Sequence, residues 1–452
     1  MEVMMKQKLS FKEYVYVASM LFGMFFGAGN LIFPVYMGQM AGNNIIPAIM
    51  GFLITGVGLP LMGVAALGIS RSNGLFDLSS KISKPYAMFF TCLLYLTIGP
   101  FFAIPRCATT SFTVGLEQIF PNSEHLKLYL LLFTIAFFAV TLFFSLRPGK
   151  ILTWIGKILN PCFLVFLGIL IVVALVKPSA SVNSVVPQGA YSSQPFLTGF
   201  LEGYNTMDAL ASLAFGIIVV QVIKGLGVEE PSAIAGNTVR AGVFSCILMA
   251  VIYLAVTIVG AQSRGFAEAA ENGGIAFAEI AQYYFGGIGL FILAATITLA
   301  CLKTAVGLIT SCSETFAALF PNGPKYRSWA IIFSLMSLLF SNLGLSTIIK
   351  FSIPVLMFLY PLSIVLILLA LLGGLFKHSR SVYLCTIIFT LFGAVYDLLR
   401  TLPEGMRQPL HLDPVIDAVG GILPLASLGL GWIVPSIIGL VVGIIIYNIK
   451  KK

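Results

Sequence analysis

The stretch Phe25-Phe26-Gly27-Ala28-Gly29-Asn30-Leu31-Ile32-Phe33-Pro34 lies within an otherwise apolar run from Tyr14 to Met37. Hydrophobic length alone predicts an unbroken membrane-crossing helix there. Hydrocarbon holds no water to satisfy a freed backbone N–H or C=O, so a Gly-x-Gly-Asn at that depth is tolerated only where it faces a cavity lined by protein. The break therefore reads as a binding site. A glycine-lined helix contact, suggested by the Gly23-x-x-x-Gly27 spacing, explains the glycines without needing Asn30.

The surrounding composition places this break in a membrane protein. Of 452 residues, 58% are hydrophobic and 10% charged, the mean hydropathy is +1.00, and no hydrophilic block is large enough for a soluble domain. Apolar runs near 11–38, 44–69, 86–118, 127–145, 151–176, 197–223, 240–262, 284–317, 328–342, 347–373, 382–400 and 431–449 predict about 12 transmembrane helices. The chain reads as one transmembrane domain over 1–452, all-α and polytopic.

Charge sets the orientation. With the N-terminus inside, cytoplasmic segments hold Lys6, Lys8, Arg71, Lys81, Lys84, Arg147, Lys150, Lys325, Arg327, Lys377, Arg380 and Lys450 to Lys452, which predicts both termini in the cytoplasm. The formal net charge of +9 is spread over short loops and forms no patch for nucleic acid. The first apolar run is long enough to span and lacks a small-residue cleavage site, so it reads as a retained helix. The seven cysteines fall inside predicted spans without CxxC spacing, and the three histidines fall in loops. Neither set suggests a disulfide framework or a metal site.

A second interruption, Glu202-Gly203-Tyr204-Asn205-Thr206-Met207-Asp208, stands in the sixth span. Breaks in the first and sixth positions are the arrangement of a 5+5 inverted repeat, each copy opening with a discontinuous helix at a midplane site. Repeat one covers about 11–176, repeat two about 197–373, and two additional helices about 382–449. The polar loop 177–196 joins the repeats, 263–283 is long enough for a short external helix over the site, and 401–430 reads as a loop with partial re-entry.

At the first break, carbonyls of Phe25 and Phe26 end one half-helix and amides of Ala28 to Leu31 begin the next. Carbonyls suit a cation, and amides at a positive helix end suit a carboxylate. Asp208 is an acid within an apolar span, which costs roughly 2.5–3.5 kcal/mol on insertion scales, and Tyr204, Asn205 and Thr206 surround it with hydrogen-bonding groups. In span eight, Lys303 shares a helical face with Thr296, Ala300, Gly307 and Thr310. Glu314 on that face is roughly 16 Å away along the axis, so Lys303 needs a partner on another helix or a lowered pKa. Arg106, after Gly99-Pro100 and Pro105, reads either as a gate that attracts anions or as a side chain snorkelling to the interface.

The run Phe26 to Pro34, then Gly51-Phe52 with Thr55-Gly56-Val57-Gly58-Leu59-Pro60, then Gly99-Pro100 with Pro105-Arg106, then Thr206-Met207-Asp208 and Ser341-Asn342-Leu343-Gly344-Leu345 closely resembles the bacterial branched-chain amino acid:cation symporters. The resemblance runs from about Phe11 to Tyr447. It implies a LeuT-type fold of the amino acid–polyamine–organocation superfamily in the bacterial inner membrane. It further implies uptake of leucine, isoleucine and valine driven by Na+ or H+, with spans 1, 2, 6 and 7 rocking against the rest. By that resemblance Gly27, Ala28, Gly29 and Asn30 meet the substrate carboxylate and a cation, and Gly203 to Asp208 meet the amino end. Phe25, Phe26 and Thr304 match a sodium site. Asn205 and Lys303 depart from the family pattern, and an ammonium at 303 can replace the cation outright.

Rival readings are a carrier for another small neutral amino acid, an intramembrane enzyme and a channel. The enzyme lacks a His pair, Ser–His or Asp–Asp constellation within spans, and the channel lacks a filter motif. No cofactor beyond a coupling ion and no obligate protein partner is expected.

Overall fold

The computed structural model describes residues 8–27, 29–120, 123–147, 157 and 160–451. Ala28, Lys6, Lys150, Lys452 and most of the first part of the 151–176 run lie outside them. The described residues are helical, with no strand.

Helix α1 (Phe11–Phe25) begins at a capping box, in which Ser10 and Glu13 satisfy each other's backbone N–H. It stops where the glycines begin, and α2 (Gly29–Ala41) resumes the span. A 3-10 turn with Gly42 at φ +50° leads into α3 (Ile45–Leu53). After a π-turn at Ile54–Gly58, α4 (Leu59–Ile69) completes the second run. The short α5 (Leu75–Ser80) precedes α6 (Lys84–Leu96), which another π-turn containing Gly99-Pro100 joins to α7 (Ala103–Val114). Pro100 has no N–H to give, and Gly99 takes a non-helical conformation, so the third span bends there. Helices α8 (Leu116–Ile119), α9 (Leu126–Ser145) and α10 (Asn160–Val176) complete the first half.

The second half opens with α11 (Pro195–Glu202), the 3-10 turn Gly203–Thr206 and α12 (Asp208–Gly225). Next come α13 (Pro231–Ser263) and the 47-residue α14 (Gly273–Leu319), kinked at Gly286. The part of α14 before the kink lies against α2, since a Cβ at Gly273 would overlap the Ile32 carbonyl. Helices α15 (Tyr326–Ser341), α16 (Leu345–Leu371), α17 (Arg380–Thr401), α18 (Glu404–Arg407), α19 (Asp413–Gly420) and α20 (Ile433–Lys451) follow.

Eight helical stretches among the described residues are long and apolar enough to cross a membrane, or nine if the pair Asp208–Gly216 and Ile218–Gly225, bent by 43°, is one span. Length and hydropathy alone thus do not reach twelve. The reason is physical: α1 and α2 divide one run between them, and α15 has only 16 residues. In the other direction, the 41-residue stretch Gly29–Ile69 measures about 60 Å as helix, roughly twice the hydrocarbon thickness. It contains more than one crossing.

Other helices also pack backbone to backbone. A Cβ at Gly38 would overlap the Thr257 carbonyl and one at Gly260 the Val35 carbonyl, which presses α2 onto α13. Gly51 and Gly199 do the same for α3 and α11. Small residues replace the hydrophobic drive that lipid cannot supply between spans. Together with α4 on α12 and α13, these contacts gather the first, second, sixth and seventh runs into one group.

Candidate functional site

The two interruptions meet at a hydrogen-bonded clasp. Asn30, in the first turn of α2, accepts from the Gly27 N–H through Oδ1 at 2.9 Å, which satisfies an amide that the missing helical turn would orphan. Its Nδ2 donates both to Asp208 Oδ2 and to the Tyr253 hydroxyl. Tyr253, on α13, donates in turn to Asp208 Oδ2 at 3.0 Å. Asn30 is thus committed on both donors and one lone pair. Asn30, Asp208 and Tyr253 are 1%, 2% and 0% exposed.

The second break is shaped by its backbone. Met207 adopts a left-handed conformation, φ 63° and ψ 10°, and ends the 3-10 turn. Thr206 Oγ1 donates to the Gly203 carbonyl at 2.9 Å and accepts from the Asp208 N–H at 3.3 Å. It ties the turn to the first residue of α12 in a local Thr turn.

Around the clasp a cavity of about 20 Å³ remains, lined by Phe25, Gly27, Gly29, Arg106, Asp208 and Thr304 among others. That is room for roughly one water, so an amino acid enters only if the walls part. Arg106 is 5% exposed and does not extend to the interface. Its guanidinium lies over the Phe33 ring, 5.4 Å from the centroid, and Nη2 is 3.1 Å from where a Cβ would stand on Gly29. Thr304 stands against the first break, with Oγ1 3.0 Å from a Cβ built on Gly27. That hydroxyl is buried with no hydrogen-bond partner among the described residues.

The structure therefore brings together Phe25, Gly27, Gly29, Asn30, Thr206, Asp208, Arg106 and Thr304. Other residues of the sequence reading stand elsewhere. A Cβ on Gly203 would overlap Thr55 of the second run, so that glycine serves a helix contact. Tyr204 stacks on Tyr360, with ring centroids 4.0 Å apart and planes at 12°, and Tyr204 and Asn205 line a second cavity. Three residues per 3-10 turn carry 204 and 205 to the far side from 206 to 208. Lys303 is 0% exposed, and its ammonium lies over the Phe22 ring at 5.6 Å, about one turn before the carbonyls of Phe25 and Phe26. It does not line the central cavity. Phe26 stacks between Phe22 and Tyr253.

Tyr253 was not legible in advance. It stands in the apolar stretch 246–256 of α13, and its one nearby clue is Thr257 four residues on, whose hydroxyl donates to the Tyr253 carbonyl at 2.7 Å.

Comparison with known proteins gives the family and the fold. Residues 10–450 match the family described as branched-chain amino acid transport protein. The chain is 52% identical over 431 residues to the branched-chain amino acid permease BrnQ of Lactobacillus delbrueckii subsp. lactis, across 95% of this chain and 96% of that one. It is 40% identical over 448 residues to BrnQ of Bacillus subtilis, across 99% and 100%. Its fold is similar to that of Mhp1, a nucleobase-cation-symport-1 family transporter (TM-score 0.59, 14% identity, 95% of this chain and 91% of that one). It is also similar to MhsT in complex with L-phenylalanine (TM-score 0.58, 15% identity, 98% and 99%). The fold is LeuT-type, and the match over residues 10–450 together with relatives 52% and 40% identical along nearly the whole chain makes this chain a member of the branched-chain amino acid transport protein family, a permease and not an enzyme.

Proposed function

We propose that the chain imports leucine, isoleucine and valine across the bacterial cytoplasmic membrane by alternating access, coupled to an inward Na+ or H+ gradient, with both termini inside. The observation that carries this reading is the clasp of Asn30, Asp208 and Tyr253, because it ties both helix interruptions to one buried point. A ligand that bridges that point holds two half-helices and α13 together. Its loss lets them part.

In this reading the substrate carboxylate meets the positive end of α2 at Gly29 to Leu31 and the Arg106 guanidinium beside it. The ammonium meets Asp208, whose charge also receives Asn30 and Tyr253. The aliphatic side chain packs against Met24, Ile98 and Leu308, which line the same cavity. The unpaired Thr304 hydroxyl at Gly27, with the carbonyls of Phe25 and Phe26, supports a cation at the first break. The group of first, second, sixth and seventh runs then moves as one body against the rest.

Lys303 favours a second reading for the ion. It is buried beside Thr304 on the same helix, so a fixed ammonium there can take over the work of a sodium ion. Counterflow of labelled leucine in proteoliposomes, with sodium and pH varied separately, tests both. Saturable accumulation supports import by a carrier, and its absence under every gradient refutes it. A sodium requirement at fixed pH removes the Lys303 reading.

A further inference from the structure

A second cavity, of about 370 Å³, lies on the side of the 190–194 segment, between α11, α16, α17 and the turn at 427–429. Its size is that of a small-molecule site. Leu197, Leu201, Ile353 and Leu356 give it apolar walls, and Glu202, Asp397 and Arg400 supply charge.

The charges are unevenly satisfied. Asp397 is 1% exposed, and neither carboxylate oxygen has a hydrogen-bond partner among the described residues. An ionised carboxylate in that condition is costly unless a cation reaches it. Arg400 does not fill that role by hydrogen bonding. Its Nη1 donates to the Ala426 carbonyl, and Nη2 donates to that of Ser427 at 3.1 Å, which fixes the turn that closes the cavity. The remaining guanidinium N–H groups are available to an anion.

We infer that this cavity is a second binding site, for an aliphatic α-amino acid whose ammonium pairs with Asp397, whose carboxylate meets Arg400 and whose side chain lies against Leu201 and Leu356. A membrane lipid with a primary ammonium headgroup shares part of this chemistry. A cavity of this volume takes one small molecule and not two acyl chains. Toward the centre stand the stacked Tyr204 and Tyr360 rings: Tyr204 lines the outer cavity, and Tyr360 has Asp208 and Arg106 among its electrostatic neighbours. A ligand at Asp397 therefore bears on the 203–208 turn that carries Asp208 at its other end.

Equilibrium dialysis of labelled L-leucine against the full chain tests the site. Phosphatidylcholine nanodiscs are used because they offer no primary ammonium. The unmodified protein binds two leucines per chain, and Asp397→Asn binds one. Leu201→Trp, which fills the cavity without touching the charge, also binds one, so the test survives if Asp397→Asn does not fold. Isopentylamine, which keeps the ammonium, displaces one of the two leucines, whereas 4-methylpentanoate does not. One leucine per chain in the unmodified protein, two in both variants, or displacement by the acid instead of the amine overturns the inference. The central reading is separable through Gly29→Leu. One leucine remaining supports both sites, none remaining overturns the outer site alone, and two remaining overturns the central one.

Discussion

The two helix interruptions do the same topological work by different means. The first is short: two glycines free the backbone, and a single side chain, Asn30, reaches back to hold the Gly27 amide. The second is a full 3-10 turn ended by a left-handed Met207, with the Thr206 hydroxyl accepting from the Asp208 N–H. Around the first, Phe25, Gly27, Gly29 and Asn30 all line one cavity. The second divides its residues between two, with Thr206 to Asp208 toward the centre and Glu202, Tyr204 and Asn205 toward the outer cavity. A glycine break keeps its neighbours on one side, whereas a turn of three residues per revolution gives the chain two faces within five positions.

The contrast between glycines gives the largest expected effect. A Cβ at Gly29 would press on Arg106 Nη2 at 3.1 Å, in the cavity wall, and on the Phe33 ring at 3.3 Å. Gly29→Leu should reduce leucine affinity at the central site on the order of 100-fold or more, as misplacement at a tight site does, with the thermal melting point little changed. Gly203→Leu, which drives into Thr55, should instead lower the melting point by several degrees. Binding by scintillation proximity and melting by intrinsic fluorescence would show whether the two glycines exchange these phenotypes, and an exchange would break the comparison.

Asp208 comes next, since it is the one acid shared by the clasp and the second break. Asp208→Asn keeps the shape and removes the charge that receives Asn30 and Tyr253. Hydrogen bonds to a charged group are worth about 1.5–3 kcal/mol, so leucine transport should fall by about 10- to 100-fold. A collapse of stability with normal transport per folded molecule would make Asp208 a tie and not a ligand. Tyr253→Phe removes one neutral hydroxyl from the same point. With about 1 kcal/mol at stake, transport should drop by about fivefold, measured as initial uptake rate.

The main lines of the fold were legible because hydropathy, charge bias and Gly/Pro punctuation are local signals. The break at Gly27–Gly29, the outlier Asp208 and Arg106 as a polar residue in a bent helix could all be found this way. Three things were not. The face presented by Tyr204 and Asn205 depends on the left-handed Met207, which no residue preference announces, because methionine seldom adopts that conformation. Tyr253 carries a hydroxyl, but only the packing aims it at the clasp. Asp397 was assigned to an appended helix, yet α17 packs on α16 and carries that acid to the cavity beside the second break. Element type is a property of a segment, whereas the side on which a residue works is a property of the packing.

The smallest expected effect on leucine affinity, and the finest test of the two breaks, is at Lys303. The first break faces α14 through the Thr304 hydroxyl at Gly27, which has no hydrogen-bond partner among the described residues, so a residue of α14 can alter ion use there. The Lys303 ammonium stands about one turn away, over Phe22, close enough to set the local charge without lining the cavity. Lys303→Thr removes that charge and places a second hydroxyl beside Thr304, the hard oxygen donors that a small cation prefers. Leucine affinity should change little at saturating sodium, while a sodium response should appear or steepen, read as uptake against sodium concentration at fixed pH. If the unmodified protein already requires sodium and Lys303→Thr leaves the ion profile unchanged, the lysine serves packing alone and the first break manages its ion without α14's charge.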